Sequence, residues 1–238
     1  MKIGILSDIH GNFHALQAVE EDMTQEQIEK VWCLGDIINY GAFPNECCLW
    51  ITKNCSQVIL GNHELMLLEL AEVDSATVNE CLIWTKKVID SEFIKFFKKC
   101  SLIQIVKNTT LVHDNPTAPG SATYITDTTT ATAYLLKPGT DICFFGHTHI
   151  SIGYRLSSIG AEVIRKTPFK VNNGRFLINP GSVGQPRDRN PSASYLIYDT
   201  KNRSVKTKRV SYNTQAAAKS IIEAGLPPIM AARILKGV

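Results

Sequence analysis

Short apolar runs, each cut off by a cluster of small and polar residues, recur through the first two thirds of the chain. Residues 2–6, 31–34, 57–60, 110–112 and 141–145 are too short for buried helices and read as buried strands. Apolar residues return at helical spacing between them: Phe13, Ala15, Leu16, Val19 and Met23 in a helix starting near Asn12, then Cys47, Leu49, Trp50 and Ile51 in a second. Strand, helix, strand in that order implies a parallel pair joined by a right-handed crossover. Residues 64–100 read as helical and mostly structural, with core stripes at Leu65, Leu67, Leu68 and Leu70, at Val78, Leu82, Trp84 and Val88, and at Phe93, Phe96 and Phe97. Ser91 with Glu92 restarts this helix after Asp90. Residues 103–106 pair with 110–112 as a hairpin around Lys107-Asn108, and a Thr-rich stretch leads into a helix toward Leu135-Leu136.

From Ile152 the pattern changes to consecutive short strands, at 152–156, 162–166, 175–178, 194–198 and 204–210. These are expected to form a second sheet packed against the first. Helices over 214–224 and 229–235 end the chain, separated at Pro227-Pro228. The pattern predicts an α/β fold in a single domain spanning residues 1–238.

A chain of 238 residues with 44% hydrophobic and 20% charged residues can bury a substantial core of its own. Its net charge of +3 is too small to point to nucleic acid, and the one basic run, Lys206-Thr207-Lys208-Arg209, reads as an alternating edge strand. No apolar stretch approaches the ~20 residues needed to cross a bilayer, and polar residues follow Leu6 too soon for a signal peptide. The seven cysteines are odd in number and lack Cys-x-x-Cys spacing, which fits free thiols in a reducing cytoplasm.

The polar residues at the strand ends change the picture. Gly61-Asn62-His63-Glu64 follows the third strand, where a Gly lets the backbone turn sharply and approach a ligand. Asp8 and His10 follow the first strand, Asp36 the second, His113 the hairpin, and His147 and His149 the strand at 141–145. In extended backbone, residues i and i+2 point to one side, so each of the pairs Asp8/His10 and His147/His149 is expected to face one way. Five of the six histidines follow strand ends; only His14 lies inside a helix, either as a structural residue or as a support behind the ligands. Scattered core or surface histidines would not cluster so, and the pattern points to metal binding.

Asp8-x-His10, Gly35-Asp36, Gly61-Asn62-His63-Glu64, His113 and Gly146-His147-x-His149, in this order, resemble the motifs of the calcineurin-like metallophosphoesterase family. The stretches 35–41 and 179–187 resemble its small prokaryotic phosphodiesterase-like members. The resemblance implies a four-layer sandwich of two mixed β-sheets flanked by helices. It implies that Asp8, His10, Asp36 and His149 hold one metal and Asp36, Asn62, His113 and His147 the other, with Asp36 bridging through one oxygen for each ion. Nitrogen and oxygen ligands suit two divalent ions such as Mn, Fe, Zn or Ni, with Mn favoured for activity. Two such ions can activate a bridging hydroxide for direct attack at phosphorus. His63 resembles the family's non-ligand histidine and is the candidate general acid, its proton held in place by Asp8 or a neighbouring carboxylate.

Two departures stand out. Where protein phosphatases of the superfamily carry an Asp-Arg pair after the Gly-Asp, this chain has Asn39-Tyr40, so a bidentate phosphate clamp is missing. Asp114 stands where relatives usually have Gly, adding bulk and charge beside His113. Arg187 could supply the lost phosphate contact, and Arg187 and Tyr40 are the candidate substrate-binding residues. The expected function is metal-dependent hydrolysis of a phosphodiester or nucleotide-derived ester. The alternatives are a phosphomonoesterase or protein phosphatase, a dinucleoside polyphosphate hydrolase, or a non-catalytic interaction module. The last predicts eroded ligands, whereas all seven ligand positions and His63 are filled.

Overall fold

The computed structural model describes residues 1–238 except residue 74. In chain order the elements are β1 (Lys2–Leu6), α1 (Phe13–Gln25), β2 (Lys30–Cys33), α2 (Pro44–Asn54), β3 (Cys55–Val58), α3 (Asn62–Leu67), α4 (Ala76–Val88) and α5 (Ser91–Phe97). They continue with β4 (Ile103–Val106), β5 (Thr109–Val112), α6 (Thr128–Leu135), β6 (Ile142–Phe144), β7 (Ser151–Ser157), β8 (Gly160–Ile164) and β9 (Phe169–Lys170). The chain ends with β10 (Phe176–Pro180), β11 (Ala193–Asp199), β12 (Ser204–Val210), α7 (Thr214–Glu223) and α8 (Pro228–Lys236).

Two mixed six-stranded sheets form, ordered β3-β2-β1-β11-β12-β9 and β4-β5-β6-β10-β7-β8. The late strands therefore do not make a sheet of their own. β11 pairs antiparallel with β1, which holds β2 in parallel on its other side, while β10 inserts beside β6 in parallel. Buried strands with similar apolar content pair where the chain's connections let them, and period-2 patterning carries no partner information. β12 is covered only at Ser204 and Val205 by β9, leaving the basic run on an open edge, where Lys206 and Lys208 both reach Glu26.

Alternation on the strands sets the layers. Ile3, Ile5, Trp32, Leu34, Leu196 and Tyr198 of the first sheet meet Leu111, Ile142, Phe144, Phe176 and Ile178 of the second. The opposite face of the first sheet, with Val31, Cys33, Tyr195 and Ile197, packs on Leu16 and Val19 of α1 and on Trp50 and Ile51 of α2. The outer face of the second, with Cys143, Phe145 and Leu177, packs on Ala131 and Leu135 of α6. Removing one ring from the fully buried middle layer, as in Phe144→Ala, costs about 3–5 kcal/mol.

The stretch over 64–100 is not one helix: α3 ends at Leu67, and α4 starts only after Ser75 accepts the Val78 N–H as its cap. Residue 74, inside the predicted helical stretch, lies outside the described residues. Leu82, Phe93 and Phe97 are buried as expected, whereas Val88 and Leu70 are exposed. No helix among the described residues is long and apolar enough to cross a membrane.

Candidate metal centre

β1, β2, β3, β5 and β6 all run out at one edge, and the loops that follow carry the expected residues. These loops are stapled to one another: Asp8 N–H donates to Gly35 O, His10 N–H to Asp36 O, and Gly146 N–H to His113 O. The backbone there is not extended. Asp8, His10, Asp36, His147 and His149 all have positive φ, between 49° and 67°. Left-handed backbone at non-Gly residues costs of order 1–3 kcal/mol each and persists where the surroundings hold it. It also overturns the expected facing of the i, i+2 pairs. Asp8 and His10 still converge, but His147 and His149 turn into different groups.

The first group is Asp8, His10, Asp36 and His149; the second is Asp36, His113 and His147. Within each, the ligand atoms lie within 4.8 Å of one another, and every member is buried. Asn62 joins the second group, with Oδ1 3.2 Å from His113 Nε2. Asp36 belongs to both groups, but not with one oxygen for each. Its Oδ1 accepts the His63 N–H at 3.0 Å, so Oδ2 is the oxygen that faces His113 Nε2 at 3.2 Å and His10 Nε2 at 3.7 Å.

The chemistry of the donors fits a bound cation. His10 Nδ1 donates to Ile38 O, His113 Nδ1 to Leu34 O and His149 Nδ1 to Gln185 O, which aims each Nε2 into the site. Burial holds His10 and His149 well below the usual imidazole range, so both are neutral. Their Nε2 lone pairs face each other at 3.2 Å, and Asp8 Oδ1, 3.3 Å from His149 Nε2, has no hydrogen-bond partner. Facing acceptors in a buried space call for a positive charge between them. In the second group a proton plays that part: burial opposes it, but the Asp36 carboxylate pushes His113 up to about 10. His147 is reversed, its Nε2 donating to Ala122 O at 2.9 Å and leaving Nδ1 for the site.

Asp114 does not crowd the ligands. Its carboxylate turns away and accepts from Gly120 N–H and Ala122 N–H, shaping the loop whose Ala122 carbonyl orients His147. The loop over 179–187 acts similarly, with Ser182 Oγ donating to Asp8 O and Gln185 supplying the carbonyl for His149. Two roles were missed in the sequence. Glu64, fully buried, accepts from the N–H groups of Asp36, Ile37, Ile38 and Gly61 and so ties two ligand loops together. Asn39 partners one ring nitrogen of His63, its Nδ2 donating to Nδ1 at 2.8 Å, while Nε2 lies 3.9 Å from Asp36 Oδ2. Glu at the third helical position after Gly61 was a readable capping signal; the Asn39 contact had none.

A cavity of about 350 Å³ opens over the centre and is lined by Tyr40, His63, Tyr124, Arg187 and Arg233 among others. Both expected substrate contacts, Tyr40 and Arg187, are on its wall. Tyr40 is almost buried and lies against the rings of His10 and His63, while Tyr124 stacks on His147 at 4.2 Å. His14 stays outside the site and meets Ser220 Oγ.

A two-sheet sandwich carries, at its strand ends, two buried His/Asp groups that could each hold a metal ion. The calcineurin-like phosphoesterase superfamily domain matches residues 1–203, and the chain belongs to that superfamily. A protein of Methanocaldococcus jannaschii, described only as uncharacterised, is 35% identical over 99% of this chain and 98% of its own length. The crystal structure of a metallophosphoesterase from Sphaerobacter thermophilus superposes with a TM-score of 0.90 at 32% identity, covering 100% of this chain and 99% of that one. A symmetrical bis(5'-nucleosyl)-tetraphosphatase of Erwinia tasmaniensis is 27% identical over 47% of this chain and 43% of its own length.

Proposed function

We propose that the whole chain acts as a two-metal phosphodiesterase on nucleotide-derived esters. The observation that supports this most is the single Asp36 oxygen facing both ligand groups, with His63 Nε2 3.9 Å from it. Asp8, His10, Asp36 and His149 would hold one divalent ion, and Asp36, Asn62, His113 and His147 the other; the mixed nitrogen and oxygen donors suit Mn²⁺. When bound, two such ions lower the pKa of an attacking water and stabilise the oxygens of an in-line displacement at phosphorus.

The chain's own residues supply orientation and hydrogen bonding. Burial keeps His63 below the usual imidazole range, hence neutral, and Asn39 occupies its Nδ1 as a donor. Its one hydrogen therefore sits on Nε2, directed into the cavity, where it meets the leaving oxygen. Arg187 offers its guanidinium to the non-bridging oxygens. The tetraphosphatase relative supports a nucleotide-derived substrate. Seven free cysteines, with Cys33, Cys47, Cys48, Cys81 and Cys143 buried, support a reducing cytoplasmic setting.

The test is a screen of metal-stripped and Mn²⁺-reloaded protein against alkyl phosphodiesters and the matching monoesters. Activity should appear only on reloading, with the higher kcat/KM for diesters. Full turnover by demonstrably metal-free protein would sink the metal assignment, and a consistent monoester preference would replace the diesterase reading.

A further inference from the structure

We propose that Arg233, on the C-terminal helix, selects substrates by taking a second phosphate beyond the one attacked, so that the site prefers nucleotides with a diphosphate or longer chain. This rests on the phosphoesterase reading of the site and adds its substrate class.

Arg187 and Arg233 are the basic side chains among the described residues lining the cavity, and Asp36 is the acidic one. No carboxylate pairs with either arginine among the described residues, whereas Arg155, Arg203 and Arg209 each have one, in Glu162, Asp141 and Asp188. Arg187 leans on Gln185 Oε1 at 3.1 Å, and its Nε is buried without a partner. Two guanidinium groups with no carboxylate paired to them among the described residues, set beside the candidate metal ligands, favour a substrate with more negative charge than a single diester. A second phosphate supplies the missing negative charge and matches the planar donor fork of an arginine.

The fold holds Arg233 in place. Met230 and Arg233 sit three residues apart on α8, and Gln185 Nε2 donates to Met230 Sδ at 3.6 Å. At the other end, Gly237 takes a left-handed cap and its carbonyl accepts from Arg189 N–H at 2.8 Å. α8 is thus tied at two points to the segment that carries Arg187. Tyr40 packs in one cluster with Met230, Ala231 and Ile234, which seats the helix against the ring that walls the centre. Tyr40, Arg187 and Arg233 line the same cavity. α7 and α8 follow residue 203, where the matched superfamily domain ends, so the selecting residue is carried outside it. Tyr124, half exposed and stacked on His147, offers a flat face to a nucleobase at the same mouth.

The experiment measures equilibrium binding of AMP and of the methylene-bridged analogue of ADP to the Mn²⁺-loaded protein, with free Mn²⁺ buffered at a constant level. Wild-type protein should bind the diphosphate analogue about tenfold or more tighter than AMP. Arg233→Gln should bring the analogue down to the AMP value with AMP binding changed less than about twofold, and Arg233→Lys should recover part of the difference. An unchanged preference in Arg233→Gln, or equal losses for both ligands in a variant of normal thermal stability, overturns the proposal. Binding reads the selection without turnover, so protein that keeps the preference but hydrolyses no ester refutes the phosphoesterase reading instead.

Discussion

Asn39 Nδ2 donates to His63 Nδ1 across 2.8 Å, while Asn39 Oδ1 accepts the Tyr40 N–H at 3.1 Å. The second contact fixes which end of the amide faces the ring, and so which nitrogen of His63 carries hydrogen. A protonated Nδ1 would point at an N–H donor, so this partner works with burial to keep His63 neutral. Asn39→Asp replaces the donor by a carboxylate and should raise the proton affinity of His63 about tenfold or more. Ring ¹⁵N chemical shifts followed against pH would show it. An unchanged titration in the variant would mean that Asn39 does not set the state of the ring.

Replacing the ring itself separates its role from that of the ligands. Proton or hydrogen-bond help to a leaving group contributes typically ~10²–10⁴-fold, and a nitrophenolate needs it least. His63→Asn should keep its metal, lose little on nitrophenyl esters and lose far more on alkyl diesters. Similar losses on both would place His63 on the phosphoryl oxygens rather than the leaving group.

Because Asp36 Oδ2 faces both groups, Asp36→Asn should lower metal content at both positions together. Asn62→Ala removes a neutral ligand from the second group alone and should leave about one equivalent bound. Elemental analysis of the two variants after dialysis decides this, and a normal two-metal content in Asp36→Asn would contradict the shared-oxygen assignment.

Metal loading should tighten as pH rises from 6 to 8. In the metal-free protein, burial raises Asp8 to about 7, and Asp36 holds His113 protonated at about 10, while His147 is lowered by burial to about 4 and is neutral. The metal-free state therefore binds more protons than the loaded one, so raising pH favours loading. Titration calorimetry in buffers of different ionisation enthalpy should show release of roughly one to two protons at pH 7. Proton uptake would refute the sign.

Gly61 permits the close approach of the loops. A Cβ there would lie 2.1 Å from Asp36 Oδ1 and 2.4 Å from Asp36 N. Gly61→Ala keeps every ligand yet should lose bound metal and about 1–3 kcal/mol of stability, since the displaced carboxylate leaves the buried His63 N–H unpaired. Measuring metal content and thermal unfolding together checks it; wild-type occupancy would show that the loop can yield without cost.

Much of this was legible before any tertiary structure. Apolar runs ending in Gly, Asp, Asn and His are local features, and parallel strands put the residues after their C-terminal ends at one sheet edge. That is why Asp8, His10, Asp36, Asn62, His113, His147 and His149 could be named as candidate ligands, and the superfamily recognised from their order. The local pairings, β1 with β2 in parallel and the β4–β5 hairpin, were legible from short connections; the pairing of the late strands was not, because alternation shows that a strand is half buried without naming its neighbour, and β11 and β12 joined the first sheet. The split of His147 and His149 between the two groups was implied by the family resemblance, but the left-handed backbone that produces it, held by contacts from other loops, was not legible. Asn39 meets His63 across 24 positions, and Arg233 reaches the cavity from a helix docked on Gln185. No periodicity spans such distances. Local chemistry marked the metal centre, and long-range packing decided what surrounds it.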